Sequence, residues 1–99
     1  MDVSHDAVVA SHRDQINATD LELLRGLNRR AELVASLHAH KRARGYATLD
    51  PDRERELIDH LRDVNPGPLS GDAVERVYRV LLDQCSAAAA RTTEAASPG

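Results

Sequence analysis

The chain has 99 residues, of which 41% are hydrophobic but only 2% aromatic, with no Phe or Trp. That length suits one domain with one core, and a core without aromatic bulk must be built from Leu, Val, Ile and Ala, which favours packed helices over a sheet. A net charge of −3 gives no general attraction to nucleic acid or membrane, and one cysteine, Cys85, excludes an internal disulfide.

Residues 1–10 read as an N-terminal extension, 11–90 as a helical domain and 91–99 as a small, polar, disordered tail. Ile16, Leu23, Leu24, Leu27, Ala31, Val34 and Leu37 recur at helical spacing. They predict a first helix starting between Asp6 and Ser11 and ending at Arg44, where Gly45 stops it. Asp50-Pro51 reads as an N-cap followed by proline at the first helical position. A shorter second helix then runs through Leu57, Ile58, Leu61 and Val64 until Asn65-Pro66-Gly67-Pro68 breaks it. Ser70 caps a third helix whose inner face is expected to hold Val74, Val77, Tyr78, Leu81 and Cys85. No secretory signal opens the chain and no apolar run approaches the roughly 18 residues of a membrane span. The expectation is a cytoplasmic protein that binds neither membrane nor nucleic acid.

The first helix is too long for its domain. About 33 residues at 1.5 Å each span roughly 50 Å, whereas a compact chain of this size has a radius of gyration near 13 Å, or a diameter of about 35 Å. Two shorter helices cannot cover its stripe, so a homodimer is expected.

Charges stand on or beside that stripe. Arg30 and Lys41 are 11 residues apart, three helical turns to within about 20°. They share a face, roughly 16 Å apart, from which two long side chains can converge on one small anion. Arg13 lies about 25 Å before Arg30 and is rotated by about 100°. One helix cannot aim both at the same molecule, but Arg13 of a second copy could complete the pocket. Arg53 and Glu54 follow in the first turn of the second helix. Each of these residues, taken singly, also suits a solvated helix surface.

Taken together, Arg13-x6-Asp20, Arg30, Lys41 and Asp50-x-x-Arg53-Glu54 stand in an order and spacing that resembles the all-helical chorismate mutases. The resemblance covers about residues 9–90. It implies an all-α fold, an intertwined homodimer of three-helix chains, and the [3,3] rearrangement of chorismate to prephenate without cofactor or metal. It also implies roles. Arg13 of the neighbouring chain and Arg30 would grip the two carboxylates, for which a planar guanidinium is suited. Lys41 would meet one carboxylate and the ether oxygen, while Glu54 and the Asp50 backbone N–H would hold the ring hydroxyl. Arg53 would position Glu54 and the substrate.

The third helix departs from the family pattern, which has Ser and, one turn later, Gln or Glu on its inner face. Aligning the apolar stripe puts Cys85 and Ala89 there, whereas an ungapped register puts Ser86 and Ala90 there. Either way the second donor to the ether oxygen is missing, which implies low intrinsic activity unless a partner enzyme of the shikimate pathway activates it. Other readings are a mutase acting on 4-amino-4-deoxychorismate, whose ammonium Glu54 would pair, and a non-catalytic helical interaction module. His40-Lys41-Arg42-Ala43-Arg44 as a nucleic-acid patch is disfavoured by the acidic charge and the lack of stacking aromatics. The histidines form no metal-ligand pattern, since His38 and His40 diverge on a helix.

Overall fold

The computed structural model describes residues 3–96, without the side chains of residues 4 and 93–96. After a 3-10 turn at Val3–His5 come three α-helices: α1 (Ala7–Ala43), α2 (Pro51–Val64) and α3 (Gly71–Ala96). No strand occurs among the described residues. α3 is the middle element and packs against both α1 and α2, which do not pack on each other.

Local chemistry sets the boundaries. The Asp6 carboxylate caps α1 by accepting from the Val8 and Val9 N–H groups at 2.9 and 3.2 Å. At the other end Gly45 takes a positive φ of 72°. The Tyr46 N–H there reaches the Lys41 carbonyl at 2.8 Å and the Gly45 N–H reaches that of Arg42 at 3.1 Å. Those paired bonds satisfy the last carbonyls of α1 and turn the chain back. Asp50 caps α2 through the Arg53 N–H at 3.1 Å, and Ser70 caps α3 through that of Ala73 at 3.1 Å.

The first helix starts within the expected window, and the third runs past its expected end. α1 begins at Ala7, inside the expected extension, and α3 continues to Ala96, past Arg91 where a tail was expected. Ala87–Ala90 has the highest helix propensity, and no breaker precedes Pro98. The expected tail at 97–99, like residues 1–2 of the extension, lies outside the described residues.

The core is small and one-sided. His38 of α1, Ile58 of α2, and Leu82, Cys85 and Ala89 of α3 are buried. Leu82 belongs to that stripe although periodicity did not place it there, while Val77, expected inside, is 56% exposed. Every residue from 10 to 26 is exposed, including Ile16, Leu21, Leu23 and Leu24. The chain measures 60 × 36 × 16 Å with a radius of gyration of 18.3 Å. A compact chain of this length would have about 13 Å.

α2 and α3 are joined by an ionic clasp as well as by Ile58. Arg55 donates to Asp59 at 2.6 Å and to Glu75 across the helix pair at 3.1 Å. Arg62 donates to Asp72 at 3.0 Å and to Glu75 at 3.3 Å, and Arg79 stands 3.7 Å from Glu75. The Arg55 hydrogen bond, with Arg62 and Arg79 nearby, holds the Glu75 carboxyl below its usual range, and Glu75 with Asp59 holds the Arg55 guanidinium more firmly protonated.

Candidate functional site

A cavity of about 380 Å³ opens where α1 ends, α2 begins and α3 crosses behind them. Arg30, His38 and Lys41 line it from α1, Asp50, Arg53 and Glu54 from the start of α2, and Cys85 and Ser86 from α3. Val34, Leu37, Leu49, Leu57, Tyr78 and Leu82 supply apolar wall, with Thr48 beside them. The helical repeat puts Arg30, Val34, Leu37, His38 and Lys41 on one side of α1. The turn at Gly45 then brings the capped start of α2 back beside it.

Of the residues expected at a site, Arg30, Lys41, Asp50, Arg53, Glu54 and Cys85 therefore meet around one space. Arg13 and Ala89 are not among its lining residues. Arg13 is exposed on the outlying half of α1, about 25 Å before Arg30 along the helix. Ala89 is fully buried in the helix packing, while Ala90 is exposed. The buried stripe of α3 thus runs through Leu82, Cys85 and Ala89, the register in which Cys85 and Ala89 face inward. Ser86, half-buried, still reaches the cavity rim.

The electrostatics favour an anion. Three cations face two carboxylates, and the Asp50 carboxylate is already engaged in capping α2. Arg30 Nη1 is buried with no hydrogen-bond partner. A buried polar group left in that state costs about 1–3 kcal/mol, and more when charged, so an acceptor entering the cavity would recover that cost. Arg53 pairs with Glu56 at 3.5 Å, while the guanidinium of Arg79 stands 4.0 Å from the Glu54 carboxylate. Arg79 was not foreseen, because it reaches Glu54 only through the packing of α3 on α2. Sequence spacing gives His38 no part in a site, yet it lines this cavity; burial, with Lys41 and Arg42 nearby, lowers its pKa.

Beside the cavity an open groove of about 470 Å³ runs toward the outlying half of α1, lined by Thr19, Glu22, Leu23, Gly26, Leu27 and Leu81. Arg30 and Tyr78 line both spaces. Among the described residues no group of three or more His, Cys, Asp or Glu could hold a metal ion, and no helix is long and apolar enough to cross a membrane.

Residues 12–89 match the sequence profile of a family described as chorismate mutase type II. A curated relative, the bifunctional chorismate mutase/prephenate dehydratase of Neisseria gonorrhoeae, is 35% identical over 83 residues. That match covers 83% of this chain but 22% of the relative, so the chain spans about a fifth of that protein's length. Among solved structures, chorismate mutase (form II) from Thermus thermophilus superposes with a TM-score of 0.81 at 24% identity, covering 84% of this chain and 94% of that one. Form I of the same protein gives 0.77 at 25%, covering 78% and 96%.

Proposed function

The chain belongs to the type II chorismate mutase family, and from that premise we propose that it rearranges chorismate to prephenate. The observation that carries the proposal is the cavity itself: Arg30, Lys41, Arg53 and Glu54 around one space, with Arg30 Nη1 buried and lacking an acceptor. In this reaction the ether C–O bond breaks as a new C–C bond forms within one molecule, so no proton or electron need be supplied from outside. The protein's task is to hold a compact conformer and stabilise the charge that grows on the ether oxygen.

On this reading Arg30 binds one carboxylate, and Lys41 meets the other and the ether oxygen. Glu54 and the Asp50 N–H hold the ring hydroxyl. Cys85 and Ser86 border the substrate from α3, while Ala89 lies behind that wall and contributes no donor. Arg53 serves the substrate side, and Arg79 is the guanidinium that steadies Glu54. A hydroxyl suits that carboxylate better than an ammonium would, since Arg79 already supplies a cation 4.0 Å away. This favours chorismate over its 4-amino analogue.

The proposal includes an intertwined homodimer in which Arg13 of a second copy completes each site. It is supported by the exposed leucines of residues 10–26 and by the groove that leads from Arg30 toward them. An activating partner enzyme of the shikimate pathway would act by offsetting the missing donor at Ala89, and would be seen as a rise in turnover when it is added.

Two measurements test the reading. The protein should consume chorismate with formation of prephenate, faster than it consumes the amino analogue, and should bind a bicyclic dicarboxylate mimic of the transition state in isothermal titration. A folded protein that neither turns over chorismate nor binds the mimic would be a helical interaction module instead.

A further inference from the structure

We propose that His38 is a further ligand-binding group of this cavity, one that takes up a proton as a dianionic ligand enters. The proposal rests on reading the cavity as a dicarboxylate site. His38 is 8% exposed and is the buried polar side chain among the described residues, yet it lines the cavity rather than the helix packing alone. The charged and titratable groups that line the same cavity or act on His38 come from all three helices. α1 brings Arg30, Lys41 and Arg42, the start of α2 brings Asp50, Arg53 and Glu54, and α3 brings Tyr78 and Cys85.

With the cavity empty, burial first and then the charges of Lys41 and Arg42 disfavour the imidazolium. The ring therefore stays neutral near pH 7. A dicarboxylate brings two negative charges into the same space, which offsets the cationic field that disfavours the imidazolium of His38. The bound state then holds a proton that the free state lacks. Linkage fixes the direction: affinity for a dianion rises as pH falls between the bound and the free midpoint of His38, by at most about tenfold per pH unit for one proton. Below the free midpoint it levels off. The other described histidines, His5, His12, His40 and His60, are exposed and line no part of the cavity.

The test is isothermal titration of the whole chain with the bicyclic dicarboxylate mimic near pH 7, in phosphate and in Tris, whose ionisation enthalpies differ. The wild-type protein is expected to take up a substantial fraction of one proton on binding, and His38→Gln much less. Between about pH 8 and about pH 6 the wild-type Kd is expected to tighten several-fold, with a flatter profile for the variant. Binding without proton uptake, or equal uptake by wild type and a folded His38→Gln, overturns the proposal and leaves the dicarboxylate reading standing. Absence of binding by the wild type overturns both. Should His38→Gln fail to fold, imidazole NMR titration of the wild type decides. The His38 midpoint must rise when the ligand is present, and an unmoved midpoint overturns the proposal.

Discussion

The two halves of α1 do opposite things. From Leu27 to Ala43 the helix packs on α3 and carries Arg30, His38 and Lys41 into a cavity that a single chain encloses on three sides. From residue 10 to residue 26 it touches no other helix closely enough to bury a single residue, although Ile16, Leu21, Leu23 and Leu24 lie along it. Burying one such side chain is worth about 1.5–3 kcal/mol, so the row is free energy of burial that the single chain leaves unused. The contrast separates a half of α1 that lines a cavity within one chain from a half whose apolar side chains no other helix of that chain covers.

The largest effect expected at the packed half is chemical. If Lys41 meets the ether oxygen as proposed, Lys41→Ala removes a donor whose loss lowers turnover by about 10²–10³-fold. Because the contact strengthens as the bond breaks, the loss belongs in kcat rather than KM. Steady-state rates on chorismate check this, and a change confined to KM would reduce Lys41 to an anion attractor.

Next comes packing. Ile58 is fully buried, and Ile58→Ala is expected to cost about 2–5 kcal/mol of unfolding free energy. Leu21→Ala, on the outlying half, is expected to change the stability of a dissociated chain far less. Urea unfolding of both variants, at protein concentrations spanning any dimer equilibrium, measures the contrast. Equal losses at low concentration would mean that the outlying half of α1 is held within the single chain as firmly as the core around Ile58.

The comparison is sharpened most directly by Arg13. If the outlying half completes the site of a second copy, Arg13→Ala lowers kcat/KM by about a hundredfold, the scale of a lost charge-assisted contact. Arg30→Ala does so from the other side. Mixing the two variants after verified subunit exchange should restore about a quarter of wild-type activity, since half the dimers are mixed and each has one intact site. No recovery would break the shared-site reading.

Much of this was legible in the sequence because it is local. Asp50, Ser70 and Gly45 announce their helix boundaries by capping and turn chemistry, and the 11-residue step from Arg30 to Lys41 places both on one face before any tertiary contact is known. What could not be read depends on which helix covers which face. Val77 follows the same period as Leu81, but in the single chain α1 and α2 cover the side of α3 that holds Leu82 and Cys85, and Val77 is left outside. Arg79 lies 25 residues after Glu54 and meets it only because α3 crosses α2. His38 looked like one of five scattered histidines, since nothing in its neighbours says that the end of α1 would be roofed by Leu82 and Cys85.

The smallest expected effect concerns how α2 is held, since α1 and α2 do not pack on each other and both depend on α3. The α2–α3 contact carries the Arg55–Glu75–Arg62 clasp. Glu75 has its folded pKa below the unfolded value, so its contribution is fully present above the ordinary glutamate range and is lost as pH falls through the lowered folded value. Glu75 and its partners remain reachable by water, so the net gain is modest at neutral pH. Glu75→Gln is therefore expected to lower the urea midpoint slightly near pH 7 and to shrink that difference toward zero in acid, where the wild-type carboxyl is also neutral. It should also disturb kcat/KM for chorismate, because Arg79 then loses its 3.7 Å partner and is free to shift relative to Glu54. A gap between wild type and Glu75→Gln that stays constant from neutral to acid pH would show that the charge of Glu75 is not what joins the two helices.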